Sequence, residues 1–378
     1  MSQCRFLGES LCQVNVRLNG RSRHFETVSF DEDRNAVLLI DQRLLPHEFK
    51  VVAMTHYRAT ADAIGKMIVR GAGAIGAAAA FGLAQGARSF RGTHAERFEA
   101  HCLAVFDTLK AARPTAVDPV NAMHAVLASM AAGGSVKEKK ALAVAAAKAF
   151  AVGDTDHCRE IGRHGASLIT PGARILTHCN AGWLAFVDIG SATAPLYAAH
   201  QKGVPFHVYC DETRPRCQGA SLTAWELAQE GISHQVIADN AAGFLMWRRE
   251  IDLVIVGSDR VLGRTGEVAN KIGTYTKAVL ARRHRIPFFV AIPLSTLDWQ
   301  TRRGRDIPIE ERSEEEVCGA WGLDPEGRRV EVRIANPTSG ARNPGFDVTP
   351  PELITGIITP RGIFKPRDLW RNRGALGG

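Results

Sequence analysis

Two side chains in this sequence have the chemistry of an acid–base pair, and each stands at the end of an apolar run. Cys179 follows RILTH (174–178) within ILTHCNAGWLA (175–185), and Asp259 follows LVIVG (253–257) within VIVGSDRV (254–261). The Gly-containing segment after Cys179 has helical composition, which predicts a helix N-terminus just beyond the thiol. The partial positive charge there favours the thiolate, a nucleophile or a base. A carboxyl group at the end of a buried strand loses solvation, so its pKa rises and it can hold a proton to donate. Taken singly, each has a plainer reading: a packed core thiol, and a helix cap or an ion pair with Arg260. His178 is a poor partner for the thiol because adjacent strand residues face opposite ways; it is read as a packing or orienting group.

Around this pair stand groups suited to an anion. VRGAGAIGAAAA (69–80) is a Gly-rich turn in which Arg70 lies beside free amides at a helix start. It is neither a Walker sequence nor a dinucleotide fingerprint, because no strand leads into it. Arg113-Pro114-Thr115 occupies the next helix boundary, Asn270-Lys271 opens the helix-compatible run ANKIGTYTKAVLARRH (269–284), and Gln218-Gly219 precedes SLTAWELAQEG (221–231).

The elements that must position these groups fall into two halves, 1–170 and 171–378. Residues 1–35 read as a polar extension with the first strand or two, and NAVLLIDQRLLP (35–46) as a strand leaving into a turn at Pro46. Helix-compatible runs follow at 60–69, 75–89, 95–111, 116–132 and 135–168, split by Gly and Pro. The last opens on Ser135 and Glu138 at capping-box spacing and is expected to break near Gly153. The second half alternates β-rich runs, namely RILTH, PFHVY (205–209), HQVIA (234–238), LVIVG and FFVAI (288–292), with segments of helical pattern. That alternation predicts a parallel sheet covered on both faces. Its strands end in His178-Cys179-Asn180, Cys210-Asp211-Glu212, Asp239-Asn240 and Ser258-Asp259-Arg260, so polar groups gather at the carboxyl edge, where open α/β sheets bind ligands.

Composition narrows the function. Of 378 residues, 45% are hydrophobic and 23% charged, a globular balance. The net charge of +8 permits an anionic partner, but the arginines are dispersed and only ARRHR (281–285) and RRGR (302–305) cluster, which argues against nucleic acid. AGAIGAAAAFGLA (72–84) is too short and too rich in Gly and Ala to span a bilayer, and no signal-peptide pattern opens the chain. The eight cysteines form no CxxC pair, which predicts reduced thiols in the cytoplasm and no zinc site.

RGAGAIG (70–76), RPTAVDP (113–119), THCNAG (177–182), DETRPRCQGASLTAWEL (211–227), ADNAAG (238–243), VIVGSDR (254–260), VANKIGTY (268–275), PLSTLD (293–298), IPIEER (307–312) and NPGFDVTPPELITGIIT (343–359) together resemble the methylthioribose-1-phosphate isomerase family. That family stands in a wider group with ribose-1,5-bisphosphate isomerase and regulatory subunits of a translation-factor exchange complex. The resemblance implies an α/β fold, with a helix-rich N-terminal domain followed by a Rossmann-like parallel-sheet domain. It further implies a cytoplasmic homodimer with no metal or organic cofactor, acting on a phosphorylated pentose in methionine salvage. By the same resemblance Cys179 and Asp259 are the catalytic pair, and Arg70, Gly71, Ala72, Arg113, Gln218, Asn270 and Lys271 contact the substrate. The sequence departs from the family at Gly73, where proline is usual, at the bulky run WLAFVDIGSATAP (183–195), and in a longer loop after Asp259. The first implies a looser phosphate turn; together they leave the sugar's 5-substituent open, with 5-deoxyribose 1-phosphate the alternative substrate.

Overall fold

The computed structural model describes residues 14–18, 20–113 and 117–378. The expected opening extension (residues 1–13) and Pro114-Thr115 lie outside the described residues. A hairpin of β1 (Asn15–Leu18) and β2 (Arg21–His24) precedes a three-stranded antiparallel sheet of β3 (Val28–Asp31), β4 (Ala36–Ile40) and β5 (Val51–Met54). Five helices follow: α1 (Tyr57–Gly65), α2 (Ala72–Ser89), α3 (Ala95–Ala111), α4 (Asp118–Met130) and α5 (Val136–Gly165). Alanine and glycine dominate α2, so α1, α3, α4 and α5 approach its backbone closely and almost all of it is buried. The start of α2 is thereby fixed. The Ser135 hydroxyl accepts the Glu138 N–H, and the Glu138 carboxylate accepts the Ser135 N–H, which starts α5 where the capping-box spacing predicts. The expected break near Gly153 does not occur. Thirty residues run unbroken there, because α5 packs on α2, α4 and α6 (Ala194–Gln201) and tertiary burial outweighs the ~1 kcal/mol cost of a helical glycine.

The rest is an α/β layer. Its strands β6 (Ala173–Thr177), β7 (Phe206–Asp211), β8 (His234–Ile237), β9 (Leu253–Val256), β12 (Phe288–Ala291), β17 (Gly356–Thr359) and β18 (Gly362–Phe364) form a sheet in the order β18-β17-β12-β9-β6-β7-β8. All pairs are parallel except β17–β18. Strands β9, β12 and β17 are buried throughout, as apolar runs covered on both faces require. Helix α6 joins β6 to β7. Helices α7 (Ala224–Glu230) and α8 (Ala241–Trp247) follow β7 and β8, and α9 (Thr274–His284) precedes β12. From β6 the chain builds outward through β7 to β8, then returns to the other side of β6 with β9. The strand order reverses between β6 and β9, the switch point where such sheets open a crevice.

A second sheet, absent from the sequence reading, lies beyond that crevice: β13 (Leu297–Asp298), β10 (Arg260–Leu262), β11 (Val268–Lys271) and β16 (Phe346–Thr349), in that order. It is followed in chain order by the short α10 (Glu315–Cys318) and the hairpin β14 (Gly319–Leu323)–β15 (Arg329–Arg333), which precede β16. Among the described residues no helix is long and apolar enough to cross a membrane, and the six cysteines are unpaired.

Candidate active site

Residues singled out in the sequence for catalysis or substrate binding converge. Cys179, Asp259, Arg70, Gly71, Ala72, Arg113, Gln218, Asn270 and Lys271 all line one cavity at the carboxyl ends of β6 and β9. Cys179 is buried and takes a left-handed backbone conformation with φ 64°, sparsely populated for a residue with a Cβ. Its N–H donates to Thr213 Oγ1 (2.8 Å), its carbonyl accepts from Thr223 Oγ1 (2.7 Å), and its thiol donates to Gln218 Oε1 (3.2 Å). Strain of this kind persists only where the surroundings over-determine it.

The helix expected after Cys179 is absent. The chain instead makes a 3₁₀ turn at Trp183–Ala185, and α6 begins only at Ala194. The carboxylate of Glu226 is the reason: it accepts the Trp183 and Leu184 N–H groups (3.1 and 3.2 Å) and holds this segment against the sheet edge. The segment after Cys179 therefore places no helix N-terminus directly beyond the thiol. The positive charge near it comes from Arg70 and Lys271, both buried and both electrostatically coupled to Cys179.

Asp259 stands between β9 and β10, its N–H bonded to the Ala269 carbonyl (3.0 Å). Its exposed surface belongs to the cavity wall, and protein crowds the remainder. That burial raises its pKa against the pull of Lys271, Arg113, Arg70 and Arg312. Desolvation wins, and the carboxyl group holds its proton more tightly than usual.

Gly71 starts α2 at φ 93°, with no side-chain cap on the helix amides; a Cβ there would fall 2.3 Å from the Ala185 Cα. Arg70 donates through Nη1 to Asn180 Oδ1 and through Nη2 to the Asn180 carbonyl (2.7 Å). Asn180 Nδ2 in turn donates to Glu226 Oε1 (2.8 Å) and Thr223 Oγ1 (3.1 Å), and Tyr197 donates to Glu226 Oε2 (3.0 Å). Burial pushes Glu226 up to about 7, although its donors pull the other way. The expected looseness at Gly73 has a different meaning in three dimensions. A Cβ at that position would sit 2.3 Å from Asp154 Oδ1 and 2.5 Å from Phe186, so the glycine admits a buried carboxyl group and an aromatic ring beneath the turn.

Asn270 and Lys271 close strand β11 and do not open a helix. Their register with Asp347 and Phe346 of β16 sets this, and α9 starts only at Thr274, after Gly273 at φ 101°. Lys271 Nζ donates to the Gly345 carbonyl (3.0 Å) and lies 4.7 Å from the centre of the Phe346 ring; burial lowers its pKa. Gln218 enters a single π-helical turn, Gly219–Thr223, a geometry frequent at functional sites.

Sequence reasoning overlooked several side chains of this wall, among them Met67, Phe186, Arg312 and Phe346. Arg312 lies in the quoted IPIEER segment. Its Nε donates to Glu310 Oε1 (3.3 Å) and its Nη2 to Met67 Sδ (3.3 Å), while Arg113 meets Glu310 Oε2 at 3.7 Å. One carboxylate thus holds two guanidinium groups together. An arginine between paired glutamates was the available signal. Burial lowers the Arg113 pKa, and its Nε is buried without a partner.

His178, Asp211 and Asp239 offer ligand atoms within 4.8 Å of one another, the spacing of a metal site. Most of their polar atoms are already engaged, and Asp211 Oδ1 is buried without a partner. His178 bonds Asp211 (2.8 Å) and the Ile272 carbonyl (2.9 Å), Lys277 pairs with Asp211 at 3.2 Å, and Asp239 accepts the Thr213 and Arg214 N–H groups (both 2.8 Å). The set fits a hydrogen-bond network that braces the loop after β6.

Comparison with known proteins gives the family and the fold. Residues 68–366 match the model of the initiation factor 2 subunit family. A methylthioribose-1-phosphate isomerase of Brucella anthropi is 47% identical over 357 residues, covering 91% of this chain and 95% of that protein. Among solved structures, the 5-methylthioribose 1-phosphate isomerase of Pyrococcus horikoshii superposes with a TM-score of 0.81 at 43% identity, over 93% of this chain and 95% of that one. A protein of A. fulgidus described as translation initiation factor eIF-2B, subunit delta, gives 0.79 at 38% identity, over 94% and 100%.

Proposed function

We propose that this chain, which belongs to the initiation factor 2 subunit family and to the methylthioribose-1-phosphate isomerases, converts 5-methylthioribose 1-phosphate into 5-methylthioribulose 1-phosphate. The observation that carries the reading is the convergence of Cys179 and Asp259 on a cavity that also holds Arg70, Arg113, Lys271 and the uncapped start of α2. An anomeric phosphate blocks ordinary ring opening, so the ring must break by another route. The raised pKa of Asp259 supports its role as the acid: the C1–O4 bond breaks and O4 takes the proton. The 2-hydroxyl gives its proton to the Asp259 carboxylate left by that step as C2 becomes a carbonyl, and hydrogen passes from C2 to C1. Cys179 serves that transfer, either as a proton relay through an enediol-like phosphate or by stabilising a direct hydride shift. Deuterium uptake at C1 from solvent separates the two. Arg70, Arg113, Lys271 and the amides of Gly71 and Ala72 bind the phosphate, while Gln218 and Asn270 orient the sugar.

The mouth of the cavity supports an uncharged 5-substituent. Most of its cations have partners: Arg43 pairs with Asp41 (2.7 Å), Lys66 with Asp62 (3.8 Å) and Arg216 with Glu316 (2.7 Å), Arg214 donates to main-chain carbonyls including that of Val317 (2.8 Å), and Arg329 lies over the Trp321 ring (4.3 Å). A 5-phosphate there would compete with these contacts. The family resemblance supports a cytoplasmic homodimer without metal or cofactor, in methionine salvage. The deciding assay offers purified protein methylthioribose 1-phosphate, 5-deoxyribose 1-phosphate and ribose 1,5-bisphosphate. The expected order of kcat/KM places one of the 5-uncharged sugars first. Binding without turnover of any would support instead the regulatory-subunit reading raised by the A. fulgidus structure.

A further inference from the structure

The cavity continues past Asp259 into a chamber walled largely by apolar side chains, among them Ile75, Val117, Ile307 and Phe346. One acidic side chain in that wall has no role in the proposed chemistry: Asp118, the first residue of α4, from the quoted segment RPTAVDP. It is 2% exposed, and its Oδ1 is buried without a hydrogen-bond partner, while Ser295 and the Asp118 main chain bond the carboxyl group. A buried acceptor left open costs roughly 1–3 kcal/mol, and few native groups carry that cost without a reason. The chamber shares Gly71, Ala72, Arg113, Asp259 and Phe346 with the cavity proper, so a sugar held there lies beside Asp118.

We propose that Asp118 is a substrate-binding residue that accepts a hydrogen bond from a sugar hydroxyl. The proposal rests on the sugar-phosphate reading above and deepens it. Carboxylates are strong acceptors for hydroxyl donors, and the methylthio sugar phosphate offers two, at C2 and C3. Burial pushes Asp118 up to about 6; Asp259 pushes the same way, and Arg260 pulls it down. Asp154 of α5 is the other carboxyl group coupled to it, and Arg113 lines the same chamber. Asp118 is therefore ionised, and the stronger acceptor, above about pH 6.

The test compares binding of methylthioribose 1-phosphate with that of its 2-deoxy and 3-deoxy analogues, by calorimetry, in wild type, Asp118→Ala and Asp118→Asn. Wild type is expected to bind one analogue about 10–100-fold more weakly than the parent, the range for a lost hydrogen bond to a charged group. In Asp118→Ala that deficit should shrink several-fold for the same analogue only. An unchanged deficit for both analogues overturns the proposal. Should the variants fail to fold, as melting would report, wild type alone decides. The parent-to-analogue affinity ratio must fall as pH drops through about 6. The phosphate ionises alike in parent and analogue, so a flat ratio overturns the contact. Failure of the isomerase reading shows separately, as absence of turnover of the parent by wild type.

Discussion

The two walls of the cavity are built in different ways. On the sheet-edge wall, Cys179 and Asp259 hang from the ends of adjacent strands, and main-chain and hydroxyl partners fix them: Thr213 and Thr223 for Cys179, the Ala269 carbonyl for Asp259. Positive φ at Cys179 (64°) and Thr213 (66°) stores on the order of 1–3 kcal/mol each, which a rigid sheet can sustain. On the opposite wall, the cations come from a helix start, the end of α3 and the 307–312 segment, and the mutual repulsion of Arg113 and Arg312 is offset by a shared carboxylate, Glu310. One wall is specified by backbone geometry, the other by charge balance. Reactivity thus belongs to the sheet edge and much of the grip to the opposite wall, Lys271 of β11 excepted, and substitutions on the two walls should divide between kcat and KM.

The largest effects belong to the sheet edge. Cys179→Ser and Asp259→Asn should each lower kcat about 10³-fold, within the usual range for removing a proton-handling group, with KM little changed. Steady-state kinetics reads both. Because Asp259 must be protonated to donate, and burial raises its pKa, wild-type kcat should fall as pH rises through that pKa. The residual activity of Asp259→Asn should lack this alkaline limb. A KM defect with kcat preserved in either variant would dissolve the division between the walls.

The cationic wall predicts the reverse pattern, with smaller numbers. Arg113→Ala and Arg312→Ala should raise KM about 10–100-fold and leave kcat within a few-fold, as expected for loss of one charge-assisted contact. Their shared anchor sharpens the comparison. With Glu310 between them, the double variant should lose less than the product of the single losses, because each single change leaves Glu310 pulling on the surviving arginine. A double-variant KM equal to that product would mean that the two arginines act independently.

Legibility in the sequence follows the same line. Local signals carry the N-terminal helices, the α5 cap and the alternating second half, because a long periodic run marks its buried face whatever element covers it. The site residues were legible because polar groups at strand ends and helix starts have few structural uses. What escaped depends on contacts between remote segments. Strand β11 reads as the start of a helix until β16 pairs with it, and β10, only Arg260–Leu262, has too few residues for a period. The helix read after Cys179 is displaced by a carboxylate from α7, Glu226, which no local pattern reveals. Gly73 was read as looseness because its reason, Asp154, lies on another helix.

The smallest effect tests where the two walls join. Glu226 lies behind the sheet edge but reaches the cationic wall through Asn180, which receives Arg70. It is fully buried, and burial raises it from 4.5 to about 7. The folded state therefore holds this proton more tightly than the unfolded chain does. The stability so gained is complete below pH 4.5 and is lost as pH rises through about 7, a swing on the order of 3 kcal/mol at about 1.4 kcal/mol per unit. Asp118, Asp154 and Asp188, raised to about 6, 7 and 6, act with the same sign. Wild-type melting temperature should fall between pH 5 and pH 8, and Glu226→Gln should flatten part of that slope while raising KM only a few-fold through the slackened Arg70. An unaltered slope would mean that the four groups donating to Glu226 (Asn180, Tyr197 and the Trp183 and Leu184 amides) hold it ionised across this range. The tie between the walls would then be a permanent charge pairing with Arg70, and Glu226→Gln should weaken substrate binding as severely as the loss of Arg113.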